Sequence, residues 1–194
     1  MEEKKENILA HNLGRIGIHE HEYRAKFYLS EEEREWARRL MEKFPKPAIA
    51  ICTRSKEPVK NWLYENWSKL LQELCTKFTI IHLGDDQEPE FDGVIRFAGK
   101  HTMRESAAIL SHCSLFVGPD SLLMHVANGL NIKSVIIFGG SRPVECFGYS
   151  ENINLSTKPE CSPCWIHKGY ETCGEDYHCL RSISVSQVVS NIQN

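Results

Sequence analysis

From Ser30 onward the apolar residues fall by turns into short continuous runs and into stripes at helical spacing. That alternation predicts strands exchanging with helices. Ser30 and Glu33 make a capping box, and Trp36, Ala37, Leu40, Met41 and Phe44 form the stripe behind it, ended by Pro45 and Pro47. Ala48 to Cys52 (AIAIC) reads as a buried strand, followed by the polar loop TRSKEPVKN. Residues 62–78 read as a helix with Trp67, Leu70, Leu71 and Leu74 inward. FTIIHLG is a second strand, ending at Gly84-Asp85-Asp86, and VIRFAG a short third. Thr102 and Glu105 form another capping box, opening a helix with Ala107, Ala108 and Leu110 on its apolar side. A strand from Leu115 to Val117 meets Gly118-Pro119, a helix opens at Asp120-Ser121, and Ser134 to Phe138 is again a strand. A last helix carries Val185, Val188, Val189 and Ile192. Residues 1–29 are polar without a clean period and are expected to be a tail or linker, leaving 30–194 as one domain.

Strands alternating with helices imply an α/β fold, a Rossmann-like parallel sheet covered by helices on both faces. Neither the G-x-G-x-x-G dinucleotide fingerprint nor a Walker loop is present, so the usual dinucleotide signature is missing.

Composition narrows the classes. With 194 residues, 41% of them hydrophobic and 25% charged, the chain is that of a soluble globular protein long enough to bury a core. The net charge of -3 and the lack of a basic stripe argue against nucleic acid as a partner. Apolar runs reach only about five residues, against roughly 20 needed to span a bilayer. No signal peptide is expected from MEEKKEN, and the cytoplasm is the expected compartment.

The chemistry gathers at strand ends. A strand-turn-helix unit from Ser114 to Gly140 points backbone N–H groups and the positive end of a helix dipole outward, an arrangement suited to phosphate. Ser121 and His125, four apart, share a helix face there. Asp120 or Ser121 serving as an ordinary N-cap, and His125 as a satisfied first-turn histidine, are the plainer alternatives. A nucleoside diphosphate needs cationic and hydroxyl donors, which Lys60, Thr53 and Ser55 could add. Trp36, Trp62 and Trp67 read as core or hinge packing.

Four segments in order resemble the C-terminal half of the glycosyltransferase family that contains the ADP-heptose:lipopolysaccharide heptosyltransferases. They are Thr53-Arg54-Ser55 with Lys60-Asn61-Trp62; Gly84-Asp85; Gly99 to Thr102; and V-G-P-D-S-x-x-M-H-x-A from Val117 to Ala127. The resemblance covers about residues 45 to 182. It implies half of a two-domain GT-B fold, in which this C-terminal domain holds the donor nucleotide sugar. By that resemblance Asp120, Ser121 and His125 lie near the sugar-diphosphate and Lys100-His101-Thr102 near the base. The sequence departs from the family in two ways. Leu122 stands where members commonly have glycine, adding a Cβ where a backbone would approach the ligand. An N-terminal acceptor domain, which in the family carries the usual catalytic carboxylate, has no counterpart here. No catalytic residue is therefore assigned to this chain, and the chain alone is not expected to transfer sugar.

Four of the eight cysteines, Cys161, Cys164, Cys173 and Cys179, fall within nineteen residues. They could close a tetrahedral structural site for zinc or iron, with His167 and His178 in reserve. Reduced, metal-free thiols are the alternative, and no catalytic cofactor is expected. The leading expectation is thus a donor-binding domain for ADP-heptose or a related nucleotide sugar. It would work with a missing acceptor domain or subunit in lipopolysaccharide or related glycan synthesis, and the full enzyme would associate peripherally with membrane. The competing readings are a non-catalytic interaction module organised by the cysteines, and another GT-B-like sugar-nucleotide enzyme such as an epimerase.

Overall fold

In the computed structural model, which describes residues 8–20, 24–45, 47–164 and 173–193, six strands form one sheet. They are β1 (Ala48–Ile51), β2 (Thr79–His82), β3 (Ile95–Arg96), β4 (Leu115–Pro119), β5 (Ser134–Phe138) and β6 (Ile153–Ser156). Every pairing is parallel, and the spatial order is β3-β2-β1-β4-β5-β6. The helices are α1 (Ile8–Gly14), α2 (Glu31–Met41), α3 (Tyr64–Leu74), α4 (Met103–Leu110), α5 (Leu122–Gly129), α6 (Val144–Phe147), α7 (His178–Arg181) and α8 (Val185–Gln193).

Side chains alternate across a strand, and two cores follow from that. Ala48, Ala50, Ile81, Phe116, Ile136 and Phe138 face one way, packed with Ala37 and Met41 of α2, Ala107 to Leu110 of α4, and Met124 and Ala127 of α5. Ile49, Ile51, Ile80, Val117, Val135 and Ile137 face the other way, against Trp67, Leu70, Leu71 and Leu74 of α3, Leu180 of α7, and Val188 and Val189 of α8. Both expected capping boxes form: Ser30 and Glu33 open α2, and Thr102 and Glu105 open α4. The fold is the expected α/β sheet with helices on both faces.

Among the elements not foreseen are the short helices α6 and α7, as well as α1 and β6. α1 lies in the stretch that showed no apolar period. β6 is an edge strand, and its INLS sequence carries too few apolar residues to announce itself. The segment before α2 is held to the domain. The Phe27 and Ala25 N–H groups donate to Gly129 O (3.2 Å) and Asn128 Oδ1 (3.1 Å), and Arg104 donates to Tyr28 O (2.9 Å) and to Glu33. Among the described residues no helix is long and apolar enough to cross a membrane.

The strand order reverses direction between β1 and β4. In open parallel sheets the loops at the carboxyl ends diverge at such a point and leave a crevice.

Candidate functional site

A cleft of about 660 Å³ opens at that crevice, within the usual range for a small-molecule site. One wall is the loop after β1. There Ser55 and Asn61 close a ring, with Ser55 N–H donating to Asn61 Oδ1 (2.6 Å) and Asn61 Nδ2 to Ser55 O (3.2 Å). A 3-10 turn, Pro58–Lys60, follows, begun by a proline that needs no N–H partner there. This turn delivers Lys60 inward. Lys60 is only 6% exposed, and its Nζ lies 2.9 Å from Asp120 Oδ2 and 3.2 Å from Glu57 Oε2.

The second wall comes from β4, α5 and the turn after β5. Asp120 directly follows β4. Ser121 takes the N-cap position of α5 with extended backbone, but its side chain makes no capping bond. Ser121 Oγ is buried without a well-formed hydrogen bond and stands beside the Cys52 thiol, whose ionisation it favours. His125 Nδ1 lies 2.8 Å from the Tyr149 hydroxyl. Burial holds the His125 pKa below the ordinary histidine value; Asp120 opposes that shift, and the nearby Lys60 and Arg142 reinforce it. The ring is therefore neutral near pH 7. Arg142 donates to Glu57 Oε1 (3.3 Å), and its guanidinium lies 4.7 Å from the centre of the Phe147 ring. Glu57 thus bridges the two cations.

The floor is a buried carboxylate knot. Glu88 Oε2 accepts from Thr53 N–H (3.0 Å), Thr53 Oγ1 (2.5 Å) and His82 Nε2 (2.9 Å), and Oε1 from Arg54 N–H (3.3 Å) and the Cys52 thiol (3.2 Å). Burial pushes the Glu88 pKa up, but the bonds from His82 and Thr53 outweigh it and hold the carboxyl below its usual value. Desolvation first, then the Glu88 charge, keep Cys52 a protonated donor. Glu88 can fold back here because Gly84 has φ +134°; a Cβ on Gly84 would sit 2.5 Å from Glu88 Oε1.

Of the residues singled out from sequence, the cleft brings together Ser55, Lys60, His101, Asp120, Ser121 and His125. Thr53 lies beneath the wall, its hydroxyl spent on Glu88. Lys100 and Thr102 are exposed and off the wall, and Thr102 caps α4. His101 packs edge-on against Trp36 (5.5 Å) and Phe97 (5.0 Å). Leu122 stands at the mouth, 63% exposed. Sequence reasoning missed Glu57, His82, Glu88, Arg142 and Tyr149.

Cys161, Cys164, Cys173 and Cys179 are all free thiols. Burial first, then Cys161, Cys179 and Cys173, raise the Cys164 pKa, so the four sense one another's field. Tyr177 N–H donates to Cys173 Sγ (3.2 Å), as backbone amides do toward ligating sulfurs. The donor chemistry suits a soft metal. Yet among the described residues no group of three or more His, Cys, Asp or Glu side chains is gathered to hold one. His167 lies outside the described residues.

Comparison with known proteins adds the lineage. Residues 3–173 match the family model for glycosyltransferase family 9 (heptosyltransferase). Lipooligosaccharide heptosyltransferase 2 of Haemophilus influenzae is 26% identical over 113 residues, covering 50% of this chain and 33% of that protein. A family 9 glycosyl transferase from Veillonella parvula superposes with a TM-score of 0.75 at 19% identity, over 98% of this chain and 60% of that one. The iron-containing dodecameric glycosyltransferase TibC of enterotoxigenic E. coli gives a TM-score of 0.66 at 24% identity, over 77% and 45%. The chain thus spans about a third to three-fifths of these relatives' lengths. With the family model running through the sheet, the cleft and the first three clustered cysteines, the chain belongs to glycosyltransferase family 9.

Proposed function

We propose that this chain is the donor-binding half of a family 9 glycosyltransferase and that the cleft takes a nucleoside diphosphate sugar, ADP-heptose or a close relative. The observation that carries this reading is the pair of cations, Lys60 and Arg142, facing into a cleft beside the opening of α5. An ammonium has three donors, so the contacts of Lys60 to Glu57 and Asp120 do not exhaust them. As the diphosphate leaves, charge builds on its oxygens, and fixed cations with a helix dipole stabilise that charge without reorganising. Relatives support the donor class: TibC was solved with ADP-heptose, and an E. coli heptosyltransferase with ADP.

Transfer itself needs an acceptor site and a base. In this reading they belong to a partner domain or subunit, in a cytoplasmic enzyme that meets lipid-linked acceptors at the membrane surface. The chain alone binds donor and does not turn it over. Calorimetric titration with ADP, UDP and GDP tests this. Saturable binding of ADP in preference to the others, weakened several-fold by His125→Ala, is the expected result. Absence of binding to all three at millimolar ligand would overturn the donor reading and favour an interaction module, with Leu122 closing the pocket.

The four cysteines are proposed as a structural metal site for zinc or iron, in keeping with the iron named for TibC. The metal content of protein purified without added metal should approach one ion per chain and fall to background in Cys161→Ser/Cys164→Ser. Equal metal in both proteins would rule the cysteines out as ligands.

A further inference from the structure

The two cations of the cleft sit on loops that never touch in sequence, one after β1 and one after β5, yet both rest on the same piece of chain. Trp62, two residues beyond Lys60, is 3% exposed, and its indole N–H donates to both Leu180 O and Ile183 O at 3.1 Å. The turn after β5 meets the same segment. A Cβ on Gly139 would lie 2.8 Å from Val59 O and 3.3 Å from Leu180 Cδ2, and one on Gly140 would lie 3.4 Å from Cys179 Sγ. Gly140 O accepts from Cys164 N–H (3.1 Å) and Ser162 Oγ (2.9 Å), while Thr157 Oγ1 donates to Cys179 O (2.8 Å). Leu180 and Ile183 are themselves buried in the sheet's second core.

We infer that the segment Cys179–Ile183 sets the spacing between Lys60 and Arg142, with Trp62 as the positioning residue that ties the Lys60 turn to it. This rests on the cleft being a nucleoside diphosphate site. The indole fixes the turn from below; Gly139 fixes how closely the Arg142 turn approaches Val59; Glu57, 3.2 Å from Lys60 and 3.3 Å from Arg142, reports the resulting distance. Two cations must match the separation of two phosphates, and misplacement of a charged donor by about 1 Å is enough to lose much of its contribution. The cysteine-bearing segment therefore acts on the donor site through backbone contacts while supplying no group to it.

The test is a pair of variants approached from opposite sides. Trp62→Phe keeps the ring and removes its N–H. Gly139→Ala keeps the indole bond and pushes the two turns apart at Val59. Calorimetry with ADP and an NMR titration with adenosine, on full chains of matched melting behaviour, give the readout. Both variants should lose about tenfold in ADP affinity, with adenosine affinity within twofold of the parent. Equal weakening of ADP and adenosine would mean a merely structural role, and ADP affinity unchanged in both variants would also overturn the inference. Failure of the parent chain to bind ADP would instead remove the donor reading beneath it.

Discussion

Lys60→Met is expected to weaken diphosphate binding by roughly 10- to 100-fold and to destabilise the fold by about 3 kcal/mol. Both effects come from one geometry. Lys60 Nζ sits between Asp120 (2.9 Å) and Glu57 (3.2 Å), with the Lys60 and Asp120 side chains 7% and 8% exposed. Removing one partner of a buried ion pair strands the other charge, at roughly 3–5 kcal/mol; Arg142 still faces Glu57 and so keeps the loss toward the lower end. A charge-assisted hydrogen bond to phosphate contributes about 1.5–3 kcal/mol, or roughly 10- to 100-fold in affinity. The double variant Lys60→Met/Asp120→Asn separates the two effects. Urea unfolding should recover most of the lost stability, because no buried charge is stranded, while ADP binding stays as weak as in Lys60→Met. Binding within twofold of the parent in Lys60→Met would show that the ammonium does not meet the ligand.

Glu88→Gln should cost about 2–3 kcal/mol although it changes one atom. The carboxylate accepts five donors, and an amide in its place must turn an NH₂ toward N–H or O–H groups that already point at it. The loss has a pH signature. The folded Glu88 pKa lies below its unfolded value of about 4.3. Its contribution is therefore complete above about pH 4.3 and fades as pH falls through the folded value. Unfolding curves for the parent and the variant should stay parallel from neutral pH down to about 5 and converge in stronger acid. A gap that persists undiminished into acid would locate the loss in packing instead.

How far these groups could be read beforehand depends on the pattern each leaves. Buried strands such as Ala48–Ile51 and Ser134–Phe138 are nearly all apolar, and helices such as α2 and α4 carry their own start signals, so the sheet and its layers are legible. Lys60, Asp120, Ser121 and His125 are legible because they stand just beyond strand ends in an α/β pattern. Glu88 is not. It lies in DDQEPE among residues that read as a solvated acidic loop, and only the backward fold over Gly84 buries it. His82 looks like one residue of an apolar strand, while Glu57 pairs with Lys60 three residues on and Tyr149 with His125 24 residues back, with no motif to mark either. Arg142 pairs with a residue 85 positions earlier, which no local pattern reveals.

The central position of β1 also dictates an order of events during synthesis. Thr53 meets Glu88 after 35 further residues, so β1, β2 and the carboxylate knot can form while the remainder is still being made. Lys60 must wait for Asp120 and β1 for its other neighbour, β4. At roughly 5–20 residues per second, that second wait lasts about 3–12 s. During it one edge of the nascent sheet is bare and an ammonium destined for burial has only Glu57 for company. In a chain grown only as far as Pro119, Lys60 still lacks its Asp120 partner, and the cleft is among the last features of the chain to come into being.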